Sequence, residues 1–250
     1  MRIAIFSDIH GNLPALDAVL ADIQTQRVDA TYCLGDLVGY GASPNECTER
    51  IRSLRIPTVM GNYDEGVGFD RDECGCAYTN PVDQALGDRS LMWTRSQTTS
   101  ESKGFLRSLS KEIRFEADGR RVLLVHGSPR RMNEYLFEDR PASSFARLAA
   151  SSDADIIVFG HTHKPYTKLI GDVLFVNDGS VGKPKDLDPR ACYAVLDKGE
   201  VRLQRVPYDA AAAARAIRAT DLPHEFAADI ETGGAPRSGH NETDPDIRTQ

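Results

Sequence analysis

Asp8, His10, Asp36, Asn62, His126, His161 and His163 form the one set of residues in this chain whose types and placement suit a metal centre. Each follows a short apolar run. Residues 3–6 lead into Asp8-x-His10, 30–34 into Gly35-Asp36, and 58–60 into Gly61-Asn62. Residues 122–125 lead into His126-Gly127, and 156–159 into Gly160-His161-Thr162-His163. Singly, such residues say little, because an Asp after a strand is most often a turn or cap residue and a lone His is more often structural than a ligand. The recurrence carries the reading: four of the six histidines, with two Asp and one Asn, fall at the ends of successive apolar runs. Carboxylate, imidazole and amide oxygen together suit hard or borderline divalent cations and exclude a thiolate-type structural zinc site.

The apolar runs alternate with helical patterns in the N-terminal part, as expected of a layered α/β fold. After the first run comes Asn12, a candidate N-cap, and then Leu13, Leu16, Val19, Leu20 and Ile23 at helical spacing. Further helical patterns are expected around 83–95 and 143–150. In open α/β sheets the ligand crevice lies outside the carboxyl ends of the strands. Five strand ends would therefore bring the candidate donors to one region. From Tyr166 the texture changes. Residues 166–170, 173–176, 191–196 and 201–206 are strand-like with short turns at Gly171 and Gly199, and predict an antiparallel meander. An Ala-rich helix is expected over 210–219. From residue 232 onward almost nothing is apolar, so a disordered tail is expected there. The expected organisation is a main domain over 1–208, a helical extension over 209–231, and a tail over 232–250.

Composition limits the function classes. The 40% hydrophobic and 27% charged content is that of a soluble globular chain. A net charge of −7 argues against gripping long nucleic acid, and leaves a small phosphate ester or nucleotide as the expected partner. No stretch approaches the roughly 18 apolar residues of a membrane span. The first apolar run is too short for a secretory segment, and the five cysteines are an odd number, so reduced thiols in a cytoplasmic protein are expected. The sequence assigns no oligomeric state.

In this order, the blocks Asp8-x-His10, Gly35-Asp36, Gly61-Asn62-x-Asp64, His126-Gly127 and Gly160-His161-Thr162-His163 resemble the calcineurin-like metallophosphoesterase superfamily, over about residues 1–205. The segments 35–41 and 126–130 resemble its small bacterial and archaeal phosphodiesterase branch. The resemblance implies a four-layer α/β/β/α sandwich with two mixed sheets. It also implies a binuclear centre, with Asp8, His10, Asp36 and His163 on one cation, Asp36, Asn62, His126 and His161 on the other, and Asp36 bridging. Mn²⁺, Fe²⁺, Zn²⁺ or Ni²⁺ would suit those donors, with manganese favoured. Two such cations outweigh the two carboxylates and a bridging hydroxide. The site would then stay positive, attract a phosphate and lower the pKa of the bridging water that attacks it.

One position departs from the family pattern. Many members carry His after the motif Asn, where it can protonate the leaving oxygen; here that residue is Tyr63. A phenol of ordinary pKa near 10 donates a hydrogen bond but is a poor proton shuttle. Tyr63 could act as such a donor or only pack beside the site. Asp64 is expected to support the site from behind. A weak acid favours good leaving groups, so the expected activity is hydrolysis of activated diesters, nucleotide-type diesters or cyclic nucleotides, with Asp36, Asn62, Tyr63, Asp64 and His126 as the expected catalytic set. The alternatives are a phosphomonoesterase, a dinucleoside-polyphosphate hydrolase, or a non-catalytic scaffold on the same fold. Arg130 and Arg131 are expected to be a solvated pair, as are Lys183 and Lys185, and Cys74-Gly75-Cys76 a structural loop. Residues 177–182 resemble a turn that closes family sites, though their Gly content also fits a simple turn.

Overall fold

In β1 (Arg2–Phe6), Ile3 and Ile5 join one core while Ala4 and Phe6 join another, and all four are fully buried. β4 (Arg120–Leu124), β5 (Ile156–Phe159) and β8 (Ala191–Asp197) alternate in the same way. Strands buried on both faces need a cover on each side of their sheet. The computed structural model, which describes residues 1–78 and 80–235, meets this need with four layers. One sheet has the order β2–β1–β8–β9, with β2 at Ala30–Cys33 and β9 at Glu200–Val206. The other has the order β3–β4–β5–β7–β6, with β3 at Ile113–Ala117, β6 at Tyr166–Ile170 and β7 at Val173–Asn177. β1 runs parallel to β2 and antiparallel to β8, while β4, β5 and β7 run parallel between two antiparallel edge strands. Both sheets are therefore mixed.

Ile3, Ile5, Val122, Leu124, Val158 and Leu196 fill the space between the sheets. The outer face of the first sheet packs on α1 (Leu13–Thr25) and α7 (Ala210–Arg218). The same core takes in α2 (Pro44–Ser53), α3 (Asn62–Gly68), α4 (Pro81–Gln97), α5 (Ser100–Arg107) and α8 (Glu225–Thr232). On the far side, Leu123, Ile157 and Phe175 pack on Phe145 and Leu148 of α6 (Ala142–Ser152). This is the expected helix–sheet–sheet–helix sandwich. Local signals start its helices: the Asn12 side chain accepts from Ala15 N–H, Asn80 from Asp83 N–H, and Asp209 from Ala212 N–H.

Two expectations change. Residues 58–60 do not form a full strand. They make only isolated bridges, with Val59 N–H donating to the Cys33 carbonyl and Met60 N–H to that of Ser110. Pro57 lacks an N–H to extend the ladder, and the chain enters α3 two residues after Met60. The expected meander is instead two hairpins in different sheets. β6–β7 lies beside β5, and β8–β9 beside β1, because Val181 N–H ties the connecting loop to Ser7 of the first sheet.

The segment expected as an extension packs into the main core. Ala213, Ala214, Ile217, Phe226 and Ile230 share a cluster with Leu16 and Val19 of α1. Of the expected tail, Thr232 closes α8 and the Gly233 carbonyl accepts from Leu187 N–H, while residues 236–250 lie outside the described residues.

Because the inter-sheet core joins the two halves, Leu124→Ala should lower unfolding free energy by about 2–5 kcal/mol. Leu54, 52% exposed, gives the control: its alanine variant should stay within about 0.5 kcal/mol. Urea denaturation of both variants reads the difference, and equal midpoints would show that this core does not hold the sheets together.

Candidate metal centre

The carboxyl ends of four strands and of the 58–60 bridge segment meet at one edge of the sandwich. Asp8 and His10 follow β1, Asp36 follows β2, His126 follows β4, and His161 and His163 follow β5. Asn62 opens α3 directly after the bridge segment. All seven side chains are buried. Five of these residues turn sharply there with positive φ: Asp8 at 54°, His10 at 48°, Asp36 at 53°, His161 at 65° and His163 at 59°. Non-glycine residues seldom adopt this region, and each costs on the order of 1–3 kcal/mol unless its surroundings hold it. Here the loops hold one another. Asp8 N–H donates to Gly35 carbonyl and His10 N–H to Asp36 carbonyl, both at 2.9 Å, and Gly182 N–H donates to Asp8 carbonyl at 2.9 Å. Gly160 must lack a side chain, because a Cβ there would collide with Ser7 and the Asp8 carboxylate.

Hydrogen bonds aim the donor atoms inward. Nδ1 of His10, His126 and His163 faces the carbonyls of Val38, Leu34 and Lys183 at 3.0, 2.8 and 2.5 Å. A carbonyl only accepts, so each Nδ1 carries the proton and each Nε2 is left for the centre. His163 Nε2 lies 3.2 Å and His10 Nε2 3.6 Å from Asp8 Oδ1. Asp36 Oδ2 sits between two imidazoles, 3.6 Å from His10 Nε2 and 3.5 Å from His126 Nε2. Asn62 Oδ1 is 3.0 Å from His126 Nε2. Neighbouring atoms bound at about 2.0–2.2 Å to one cation lie about 2.8–3.6 Å apart, which is this spacing. The donors fall into two clusters, Asp8 with His10 and His163, and Asp36 with His126 and His161.

Two orphaned atoms show that cations fit. Asp8 Oδ1 and His161 Nε2 are buried without a hydrogen-bond partner. The other Asp8 oxygen is saturated, accepting from Ser7 Oγ at 2.6 Å and His161 N–H at 2.9 Å. Ser7 Oγ also lies 2.7 Å from Asp178 Oδ1. Its single proton goes to Asp8, so Asp178 must supply the proton between them. Burial, then the Asp8 charge, push the Asp178 carboxyl well above its usual range and keep it protonated. One oxygen of Asp8 is thus locked and the other left bare.

Residues 1–200 match the sequence profile of the calcineurin-like phosphoesterase superfamily domain. The chain belongs to this superfamily. It is 35% identical over 240 residues to an uncharacterised protein of Methanocaldococcus jannaschii, covering 88% of this chain and 93% of that one. It is 28% identical over 207 residues to the phosphodiesterase YfcE of Escherichia coli, covering 79% of this chain and 88% of the relative. A metallophosphoesterase from Sphaerobacter thermophilus has a solved structure 32% identical to the chain, with a TM-score of 0.76 and coverage of 93% and 99%.

In this phosphoesterase the site charges oppose their own burial. Burial disfavours the ionised Asp8, yet His163 and His10 beside it hold its carboxyl well below the usual range. Burial likewise opposes the ionised Asp36, which His126 pulls lower. His126 feels burial downward and the Asp36 carboxylate upward, and ends at about 10. Burial, reinforced by His126 for His161 and by Lys185 for His163, brings both of these imidazoles to about 3.

Asp64 works from behind. Its carboxylate accepts from Asp36 N–H at 2.8 Å and from Leu37 and Gly61 N–H, each at 2.9 Å, so it clamps two donor loops to each other. Burial and the Asp36 charge raise it to about 7. Tyr63, 1% exposed, packs its ring against His10 and Tyr40. Its hydroxyl points to that of Tyr78 at 3.4 Å, so the geometry fits the packing role. The Cys74 carbonyl accepts from Asn62 Nδ2 at 3.0 Å, which turns the amide oxygen toward His126. The Cys74 and Cys76 sulfurs are 2.8 Å apart and unlinked. The 177–182 turn braces the site: Asn177 Nδ2 donates to Gly160 carbonyl at 2.8 Å and Ser180 Oγ to Asp8 carbonyl at 2.8 Å.

The flanking cations divide. Arg130, paired with Glu134, and Arg131 are exposed, as expected. Lys183 and Lys185 are not solvated, because the loop that crosses between the sheets folds them inward. The Lys183 ammonium is buried, 2.7 Å from Asp229 and over the Tyr40 ring. Lys185 is half-buried, and burial, then the Lys183 charge, lower it to about 8. Both line a cavity of about 310 Å³ beside the donors, walled also by Tyr40, Tyr78, Tyr135 and Phe226. Single aromatic residues scattered along the sequence carry no signal that they will meet, so these walls escaped the sequence reading, as did Ser7.

Two outcomes follow for the centre. A Cβ at Gly61 would collide with the Asp36 carboxylate. Gly61→Ala should therefore lose bound metal by elemental analysis, and full metal content would refute this placement. The second concerns protons. His126 at about 10 is protonated at neutral pH without metal and must shed that proton to offer Nε2. Metal binding should release about one proton from it at pH 7.5, and apparent affinity should rise with pH. Calorimetry in buffers of different ionisation enthalpy measures the release; none would refute the charge assignment.

Proposed function

We propose that the chain is a phosphodiesterase with a binuclear metal centre, acting on nucleotide-type or cyclic phosphodiesters. The observation that carries this is the position of Asp36 Oδ2 between His10 and His126, at the meeting of two donor clusters. Asp8, His10, Asp36 and His163 would hold one cation, and Asp36, Asn62, His126 and His161 the other. Oxygen and imidazole donors without thiolate favour manganese over softer choices. When bound, the cations supply positive charge for the phosphoryl group and an acidified water as nucleophile.

The chain's own residues prepare that chemistry. The Asp178–Ser7 relay keeps one oxygen of Asp8 free, Asp64 fixes the approach of the Asp36 and Asn62 loops, and the carbonyl partners fix each imidazole tautomer. No imidazole stands at position 63 to protonate a departing oxygen, and the Tyr63 hydroxyl engages Tyr78. This supports a preference for diesters with stable leaving groups, as does the similarity to a relative named as a phosphodiesterase. The unlinked cysteines support a reducing, cytoplasmic setting. Among the described residues no helix is long and apolar enough to cross a membrane.

Asp36→Asn should lose most activity and at least one cation, since neutralising a shared ligand weakens both clusters. Elemental analysis showing two full-occupancy cations with near wild-type turnover would sink the bridging role. For the leaving group, rates on a series of aryl and alkyl diesters at saturating metal should fall steeply as leaving-group pKa rises. A flat series would mean that some group supplies the proton, within the roughly 10²–10⁴-fold reach of general acid catalysis.

A further inference from the structure

The 310 Å³ cavity lies next to the metal centre, separated from the donors by residues that touch them. Thr162, between His161 and His163, lies in its wall. The Tyr40 ring stands 4.9 Å from that of His10, and the Tyr135 ring 4.0 Å from that of His161. Tyr135 is itself stacked with Phe137, 5.7 Å between centroids and 12° between planes. The space is at the low end of the ~300–1,000 Å³ usual for small-molecule sites, and its walls combine aromatic rings with Asp83, Asp229 and three lysines. Its cations differ in what they face. Lys183 is satisfied by Asp229. Lys185 lines the same wall with its backbone N–H on the His163 carbonyl, and among the described residues its ammonium has no carboxylate within ion-pair distance. A half-buried ammonium without a counter-ion is a costly state that a bound anion relieves.

We propose that this cavity is the nucleoside subsite of the enzyme, with the base against Tyr135 and Phe137 and the Lys185 ammonium gripping the phosphate on the side of the cavity where Thr162 lies. The proposal rests on the phosphodiesterase reading and narrows its substrate class to nucleotides. An apolar alcohol would leave Lys185 unpaired, and a bare phosphate would leave the aromatic walls empty. A nucleoside phosphate satisfies both. Lys185 and Tyr135 are then specificity-determining residues that act on different parts of one ligand.

Calorimetry on full-length, metal-loaded protein with three probes separates those parts: adenosine 5′-monophosphate, adenosine and inorganic phosphate. Wild type should bind the monophosphate more tightly than either fragment. Lys185→Gln should weaken the monophosphate and inorganic phosphate alike, by roughly tenfold or more as for other lost charged hydrogen bonds, and leave adenosine unchanged. Lys185→Arg should restore much of the loss. Tyr135→Leu should weaken adenosine and the monophosphate by roughly five- to a hundredfold, the range for a removed stacking partner, and spare inorganic phosphate. Tyr135→Phe, which keeps the ring, should bind as wild type does, and metal content of each variant checks that the His161 contact survives. The subsite is overturned if wild type binds the monophosphate no more tightly than inorganic phosphate. It is also overturned if Lys185→Gln spares both phosphates, or if Tyr135→Leu weakens all three probes equally at full metal content. Hydrolysis of bis(p-nitrophenyl) phosphate, run in parallel, keeps the two readings apart. Turnover without the binding pattern removes the subsite alone, and the binding pattern without turnover supports the subsite and removes the diesterase reading.

Discussion

Asp8 and Asp36 bring two carboxylates into the interior, at 0% and 2% exposure, with no lysine or arginine paired to either among the described residues. Buried charges without counter-charges are among the costliest things a fold can carry. Imidazoles alone compensate poorly here, because burial drives His161 and His163 to about 3 and leaves them neutral. His126, raised to about 10, carries a proton near neutral pH against Asp36. The rest of the site follows from that imbalance. Nδ1 atoms are tied to carbonyls, Asp8 Oδ2 is saturated, and Asp8 Oδ1 and His161 Nε2 are left bare. Such a pocket has the donor atoms to receive cations.

The donors are drawn from both sheets, so their spacing is a property of the sandwich. Asp8 and Asp36 belong to the β1–β2 side, while His126, His161 and His163 belong to the β4–β5 side. The distance from Asp36 to His126 is fixed by how Ile3, Ile5, Val122, Leu124 and Val158 interdigitate between the sheets. Close-packed interiors transmit small displacements without absorbing them. Hydrogen bonds cross the seam at the site itself, among them those from His126 Nδ1 to Leu34 carbonyl and from His161 N–H to Asp8 Oδ2. The left-handed turns at five donor residues add local strain, and this seam restrains it.

What the sequence made legible was everything encoded by residue type next to an apolar run. The buried strands β1, β4 and β5 and the residues just after them share one short stretch of chain, so pattern and chemistry are read together. The strand assigned to 58–60 failed in form but not in position: Pro57 limits the pairing, yet the bridges still place Asn62. The meander failed because a hairpin signal is local, while the choice of sheet is set by the distant contact between Val181 and Ser7. Lys183 and Lys185 were misjudged for a related reason. Lysines in a Gly/Pro-containing loop look solvated, but this loop crosses between the sheets, and α8 supplies Asp229 and Phe226 from the far end of the chain.

Tyr63 ties these threads to the chemistry. Its backbone N–H donates to Asp36 Oδ1 at 2.8 Å, a role that any residue except proline could fill at this place in the helix. Its side chain is what differs. An imidazole would be short and polar, whereas the phenol reaches past the donors, packs on His10 and Tyr40, and meets Tyr78 at the cavity wall. The Tyr63 ring therefore extends the aromatic layer that underlies the cavity. Asp64, the next residue, spends both oxygens on backbone N–H groups. At this position of α3 the backbone serves the centre through Asp36 while the side chain serves the packing.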